Sequence, residues 1–202
     1  MAWLIYGTPI DPEFDLGFEW VGPGTSAIRQ LLKRPQALTD VPPLRLQRAQ
    51  HSRKKSMPLD FSRPGGIWVV SDGFRVIVQQ LEPQQNQFFP VTLHDKTGAD
   101  LGVQFHLMNV TQRRDVLIPE QSDMYSEWRE IKKSSGELVK ICQWYLHGYP
   151  KHLVARKEEI GAMHLWRGLA VLPLQLFFSD QLMKRCENAG LRGLVSYPIV
   201  EK

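Results

Sequence analysis

The 202-residue chain is 43% apolar and 23% charged, with two cysteines, which fits one globular domain or at most two small ones, able to bury a core without disulfide or metal staples. No apolar run approaches the roughly 18–20 residues that span a bilayer, and the opening Met1-Ala-Trp-Leu-Ile-Tyr-Gly7 lacks the basic and long apolar regions of a secretory signal, so the cytoplasm is the expected location. The net charge is +4 and the pI 9.1, yet removing Arg45, Arg48, Arg53, Lys54 and Lys55, all within the acid-free residues 41–59, takes that charge to −1.

The first sixty residues carry little periodicity. Gly22-Pro23-Gly24 is a turn, and Thr25 or Ser26 can cap a short helix bearing Ile28, Leu31 and Leu32. Pro35, Pro42, Pro43, Pro58 and Pro64 remove backbone donors and disfavour helix before them, so residues 35–65 are expected to be extended or looped. From Ile67 the pattern sharpens. Ile67-Trp-Val-Val70 reads as a buried strand and Ser71 as a helix N-cap, with Asp72 at the positive end of the helix dipole. Phe74, Ile77, Val78 and Leu81 fall on one helical face, which ends before Pro83. A strand over residues 88–93, a turn at Asp95-Lys-Thr-Gly98 and a half-buried alternating strand over 101–107 follow.

Residues 124–133 read as a short helix broken by Ser134-Ser-Gly136, residues 137–146 as either strand or helix, and Met163-His-Leu-Trp166 as a strand. Then the earlier grammar returns. Leu176-Phe-Phe178 is a strand, Ser179-Asp180 a cap, and Leu182, Cys186 and Ala189 share a helix face. Gly190 fits the C′ position, and residues 194–200 form a last strand. A shift of 108 lays Ser71-Asp72 on Ser179-Asp180, Phe74 on Leu182, Val78 on Cys186 and Phe89-Pro90-Val91 on Tyr197-Pro198-Ile199, without a gap. The expected fold is therefore α+β, with two similar strand–helix–strand units around a mainly antiparallel or mixed sheet. Residues 1–57 form an extended, loop-rich segment with the basic stretch, and residues 58–202 the α+β domain.

Few residues argue for chemistry. Ser71-Asp72 and Ser179-Asp180 are explained by capping and lie in no nucleophile elbow. His51, His94, His106, His147, His152 and His164 show no H-E-x-x-H spacing, and His106 falls on the polar, solvent side of its strand. Gly22-Pro-Gly-Thr-Ser26 lacks the lysine of a phosphate-binding loop. Cys142 and Cys186 read as buried apolar fillers. No catalytic residue, cofactor or metal site is expected. Partner binding falls to the basic residues Arg45, Arg48, Arg53, Lys54 and Lys55, with Arg113 and Arg114 as a second spot. Without interleaved aromatics they suit an acidic protein surface better than nucleic acid, so a nucleic-acid-binding regulator is the alternative and a hydrolase with an unrecognised site the third.

Trp68-Val-Val-Ser-Asp72 with its helix, Gln87-Phe-Phe-Pro-Val91, Leu107-Met-Asn-Val110, His164-Leu-Trp-Arg167, Leu176-Phe-Phe-Ser-Asp-Gln-Leu182 and Asn188-Ala-Gly-Leu-Arg-Gly193 together resemble the Imm11 family over residues 58–200. The family's acid-x-x-Ser pattern has only a poor counterpart in Ile118-Pro-Glu-Gln-Ser122. The resemblance implies a bacterial immunity protein similar to those encoded beside polymorphic toxins and type VI secretion effectors. It implies a cytoplasmic binding protein without catalytic residues, whose partner is a cognate toxin; the sign of the charge at residues 45–55 then suggests an acidic toxin surface, such as the metal-binding pocket of a nuclease.

Overall fold

Alternation of apolar and polar residues, punctuated by proline and glycine, makes this chain strand-rich. Its computed structural model describes residues 1–6, 17–22, 37–52, 57, 59–132, 136–146, 150–169 and 175–202. The expected helix at Ile28, Leu31 and Leu32 lies outside them. The strands are β1 (Ala2–Tyr6), β2 (Phe18–Val21), β3 (Leu44–Arg48), β4 (Phe61–Ser62), β5 (Val69–Ser71), β6 (Gln87–His94), β7 (Asp100–Asn109), β8 (Met124–Lys132), β9 (Leu138–Leu146), β10 (Val154–Ala155), β11 (Leu165–Arg167), β12 (Leu176–Ser179) and β13 (Val195–Glu201). The described helices are α1 (Asp72–Leu81), the single turn α2 (Lys157–Ile160) and α3 (Asp180–Asn188).

These strands form a six-stranded sheet in the order β2-β3-β6-β7-β5-β4, a five-stranded sheet in the order β10-β13-β1-β12-β11, and a separate ribbon of β8 and β9. Both larger sheets are mixed: β3 runs parallel to β6 and β10 parallel to β13, while their other pairs are antiparallel. The α+β class holds. In the first sheet β7 lies between β5 and β6, and α1 connects those two outer strands. In the second, β1 lies between β12 and β13, which α3 connects. The N-terminal strand is thus an inner strand of the sheet made by the C-terminal elements.

Both caps form as the sequence dictates. Ser71 and Ser179 have extended backbones, φ −67° and −69°, and their hydroxyls accept from Phe74 N and Leu182 N. Phe74 and Val78 of α1, and Leu182, Met183 and Cys186 of α3, are buried. They meet Ile5, Phe61, Trp68, Val70, Leu176 and Phe178 in one apolar cluster fed by both sheets. Phe61, Phe74 and Phe178 pack ring on ring, with centroids 5.2–5.8 Å apart, in the range where aromatic pairs add to simple burial. Gly190 ends α3 with φ +66°; Gly190 N donates to Glu187 O and Leu191 N to Cys186 O, the paired bonds of a Schellman cap.

Four local readings need correction. Residues 124–132 are a strand, with Met124 through Lys132 paired in register to Leu146 through Leu138; Tyr125, Trp128 and Ile131 at steps of three mimic a helical face, and cross-strand pairing overrides it. Ala189 is the exposed C-cap of α3 and not part of its buried face, where Met183 takes its place. Cys142 is exposed, because it lies on the ribbon; Cys186 is buried. His106 does not face open solvent: its side chain is only 12% exposed, since the first turn of α1 covers it.

Candidate functional site

The basic residues nominated by the sequence occupy different environments. Arg45, on β3, donates from Nη2 to Gly98 O at 3.2 Å, in the turn between β6 and β7. Arg48 is buried, its guanidinium 4.6 Å from the centre of the Phe18 ring. Arg53, Lys54 and Lys55 lie outside the described residues. Arg114 is exposed and reaches Glu159, donating to its backbone oxygen at 3.1 Å. Arg113 forms a parallel bridge with Arg167.

That bridge exposes a basic cluster the sequence reading only half found. Arg167 is buried, and burial, followed by the charges of Arg113 and Arg63, lowers its pKa to about 10. Arg63 stacks over Trp68 at 4.8 Å and donates to Gly66 O. Arg63 and Arg167 carry no sequence signal of proximity, because β4 and β11 lie about a hundred residues apart in the chain and belong to different sheets.

Several other titratable groups have structural partners. Asp72 accepts from Arg75 Nε at 2.8 Å and lies 2.9 Å from His106 Nε2. Arg75 and His106 hold the Asp72 carboxyl below the usual aspartate range. Burial pushes the His106 imidazole below its usual value, and Asp72 opposes that shift without reversing it. In the second sheet the indole of Trp3 donates to Asp180 at 3.4 Å, and Lys184 pairs with the same carboxylate at 2.7 Å. His164 Nδ1 lies 2.8 Å from Ser179 Oγ, but that hydroxyl also accepts from Leu182 N as the cap of α3. Glu82, buried at the end of α1, accepts from the backbone N–H groups of His164 and Leu165 and from Asn86. This carboxylate fastens α1 to the start of β11, joining one sheet's helix to the other sheet.

Of the remaining histidines, His94 bridges Gly98 O and Thr92, and the backbone N–H of His152 donates to Asp123; His147 lies outside the described residues. Ser122, in the weak family motif, accepts from Val154 N and donates to Ile118 O, tying the chain before β8 to β10. Among the described residues no group of three or more His, Cys, Asp or Glu side chains is placed to hold a metal ion. No helix among them is long and apolar enough to cross a membrane. The arrangement is that of a scaffold with polar clasps, and the two most exposed large apolar side chains among the described residues, Trp128 at 72% and Leu138 at 66%, both lie on the ribbon. The sequence reading missed this surface because it assigned residues 124–133 to a helix.

No curated protein matches the chain. The profile of the Imm11 immunity protein family matches residues 8–201, extending over most of the N-terminal segment that the recognised motifs leave out. The chain belongs to the Imm11 immunity protein family.

Proposed function

We propose that the protein neutralises a cognate bacterial toxin by binding it in the cytoplasm and occluding its active site or substrate path, with no catalysis of its own. The family match over residues 8–201 carries this reading, and the toxin is one delivered by a polymorphic or type VI system. The basic stretch of residues 41–59 complements an acidic toxin surface, such as the metal-binding pocket of a nuclease, and speeds encounter with it. Arg45, half-buried on β3, and the exposed Arg114 contribute, with Arg53, Lys54 and Lys55 following Arg45 in sequence. The test is co-expression of the tagged chain with a catalytically inactive version of the polypeptide encoded by the adjacent gene. Stoichiometric co-purification that survives moderate salt supports the proposal, and absence of a complex refutes it.

We also infer that the two halves are copies of one strand–helix–strand unit related by the 108-residue shift. Supporting this, Val70 pairs with His106 as Phe178 pairs with Trp3, and Pro90 with His106 as Pro198 with Trp3. The two equivalent residues, His106 and Trp3, bond the equivalent carboxylates Asp72 and Asp180. β1 then stands in the second unit where β7 stands in the first. Moving residues 1–6 to follow residue 202, through a copy of the turn Asp95-Lys-Thr-Gly98, tests this. The rearranged chain is expected to unfold cooperatively with near wild-type stability; a chain that fails to fold contradicts the equivalence.

A further inference from the structure

Among the described residues, strands β8 and β9 pair only with each other. Their base is fixed: Met124 and Leu146 pack against the cluster of Val116, Leu117 and Leu153, and the Asp123 carboxylate accepts from the N–H groups of Lys151 and His152. Beyond the base the ribbon projects. Residues 126–130 and 136–138 are exposed. Trp128, Leu138 and Cys142 are exposed on one face, the one Trp144 also occupies, as the cross-strand register requires.

A two-stranded ribbon standing alone in water is at best marginally stable, yet this one carries contacts that hold it in shape. Tyr125 and Tyr145 stack at 5.4 Å, and the Arg129 guanidinium covers Tyr145 at 5.1 Å. Glu127 pairs with Arg129 at 3.2 Å and Glu130 with Lys140 at 3.6 Å. Trp, Tyr and Arg are the residues that dominate binding energy at protein interfaces, and a preformed ribbon loses little conformational freedom on docking. Residues 124–146 hold four cations and three acids, so recognition here works through shape and apolar contact more than through net charge.

Size decides the kind of partner. At about 3.4 Å per residue the ribbon is roughly 27 Å long and about 10 Å wide, so one face offers about 300 Å². A stable interface needs about 800 Å² from each side. Stacking two ribbons, or pairing their edges, falls well short, which disfavours a second copy. Burying enough surface requires both faces and the tip, and therefore a concave partner. Three cavities among the described residues away from the ribbon, of about 240–390 Å³, are each too small to take a body of those dimensions.

We infer that the β8–β9 ribbon inserts into a cleft of the cognate toxin, with Trp128 as its apolar anchor and Leu138 as a second contact near the tip. This rests on the immunity reading, and it names the segment that does the occluding. Trp128 is so exposed that its removal leaves the fold unchanged, which a thermal melt verifies. The probe is the inactive polypeptide encoded by the adjacent gene, titrated against the wild-type chain, Trp128→Ala, Leu138→Ala and the control Val76→Ala on α1. The expected result is an affinity loss of about 30-fold for Trp128→Ala, a smaller loss for Leu138→Ala and none for Val76→Ala. Wild-type binding that Trp128→Ala leaves within twofold overturns the ribbon inference while sparing the immunity reading. No binding by the wild type overturns both. A wild-type dimer in sedimentation, abolished by Trp128→Ala while toxin binding is retained, assigns the ribbon to self-association and overturns the inference as well.

Discussion

Replacing Glu82 with alanine tests how the two sheets are held together. Its carboxylate is buried and accepts from His164 N, from Leu165 N at 3.4 Å and from Asn86 Nδ2 at 3.0 Å. Alanine removes the acceptor and leaves these donors buried. A hydrogen bond to a charged group contributes about 1.5–3 kcal/mol, and an orphaned buried donor costs about 1–3 kcal/mol. The long Leu165 contact adds little, so the two stronger bonds together predict a loss of about 3 kcal/mol. In a chain of this length that lowers Tm by roughly 6–12 °C. Glu82→Gln keeps one acceptor oxygen and is expected to lose less than about 1.5 kcal/mol. Glu82→Leu restores bulk but no acceptor, and is expected to be as unstable as the alanine variant. Urea unfolding followed by tryptophan fluorescence, with midpoint and slope both measured, reads all three. An alanine variant within about 0.5 kcal/mol of wild type, or a leucine variant that recovers stability, refutes the account of Glu82 as a polar clasp.

Two further outcomes are expected. His106 has a folded pKa below its unfolded value of 6.5, so the unfolded chain binds the extra proton first. Its contribution to stability is complete above about pH 6.5 and is lost as pH falls toward the folded pKa, by at most about 1.4 kcal/mol per pH unit for one proton. Asp72, shifted below its usual 3.8, adds stability that is present above that value and lost only as pH falls through its folded pKa. Urea midpoints measured from pH 8 to 5 are expected to decline below 6.5, and His106→Gln to flatten that decline; an unchanged slope contradicts the assignment. Native protein treated with a thiol reagent at pH 8 is expected to be labelled at one cysteine, Cys142, because Cys186 is buried and its thiol pKa is pushed up to about 12. Labelling of both without denaturant contradicts that burial.

What the sequence made legible was local. Ser71 and Ser179 cap helices because their hydroxyls meet amide donors three residues on, and that information lies within one turn of chain. Phe74, Ile77, Val78 and Leu81 define α1 for the same reason, and Gly190 ends α3 where a left-handed residue is needed. Residues 87–94 and 100–109 alternate or cluster strongly enough to be read as strands to within two residues of their ends. What was hidden is nonlocal. Ala2–Tyr6 finds its partners beyond residue 175, and no pattern in five residues announces which strands they separate. Residues 124–132 carry apolar side chains at both helical and strand spacings, and only Leu146, Tyr145 and Cys142, opposite Met124, Tyr125 and Trp128 across the ribbon, settle the choice. His106 lies among the polar positions of its strand, but the helix start that covers it is contributed by Asp72, far away in sequence. Of the surfaces, the basic stretch could be read from charge alone, whereas the exposed Trp128 becomes visible only once its segment is known to be a projecting strand.

The central claim is that this chain protects a cell from a toxin by binding it. Its most direct test is growth of bacteria that express the active polypeptide encoded by the adjacent gene, with and without this chain supplied on a second inducible copy. The account predicts killing in its absence, full survival in its presence, and partial survival with Trp128→Ala at equal levels of folded protein. Death at the same rate whether or not the wild-type chain accumulates contradicts it.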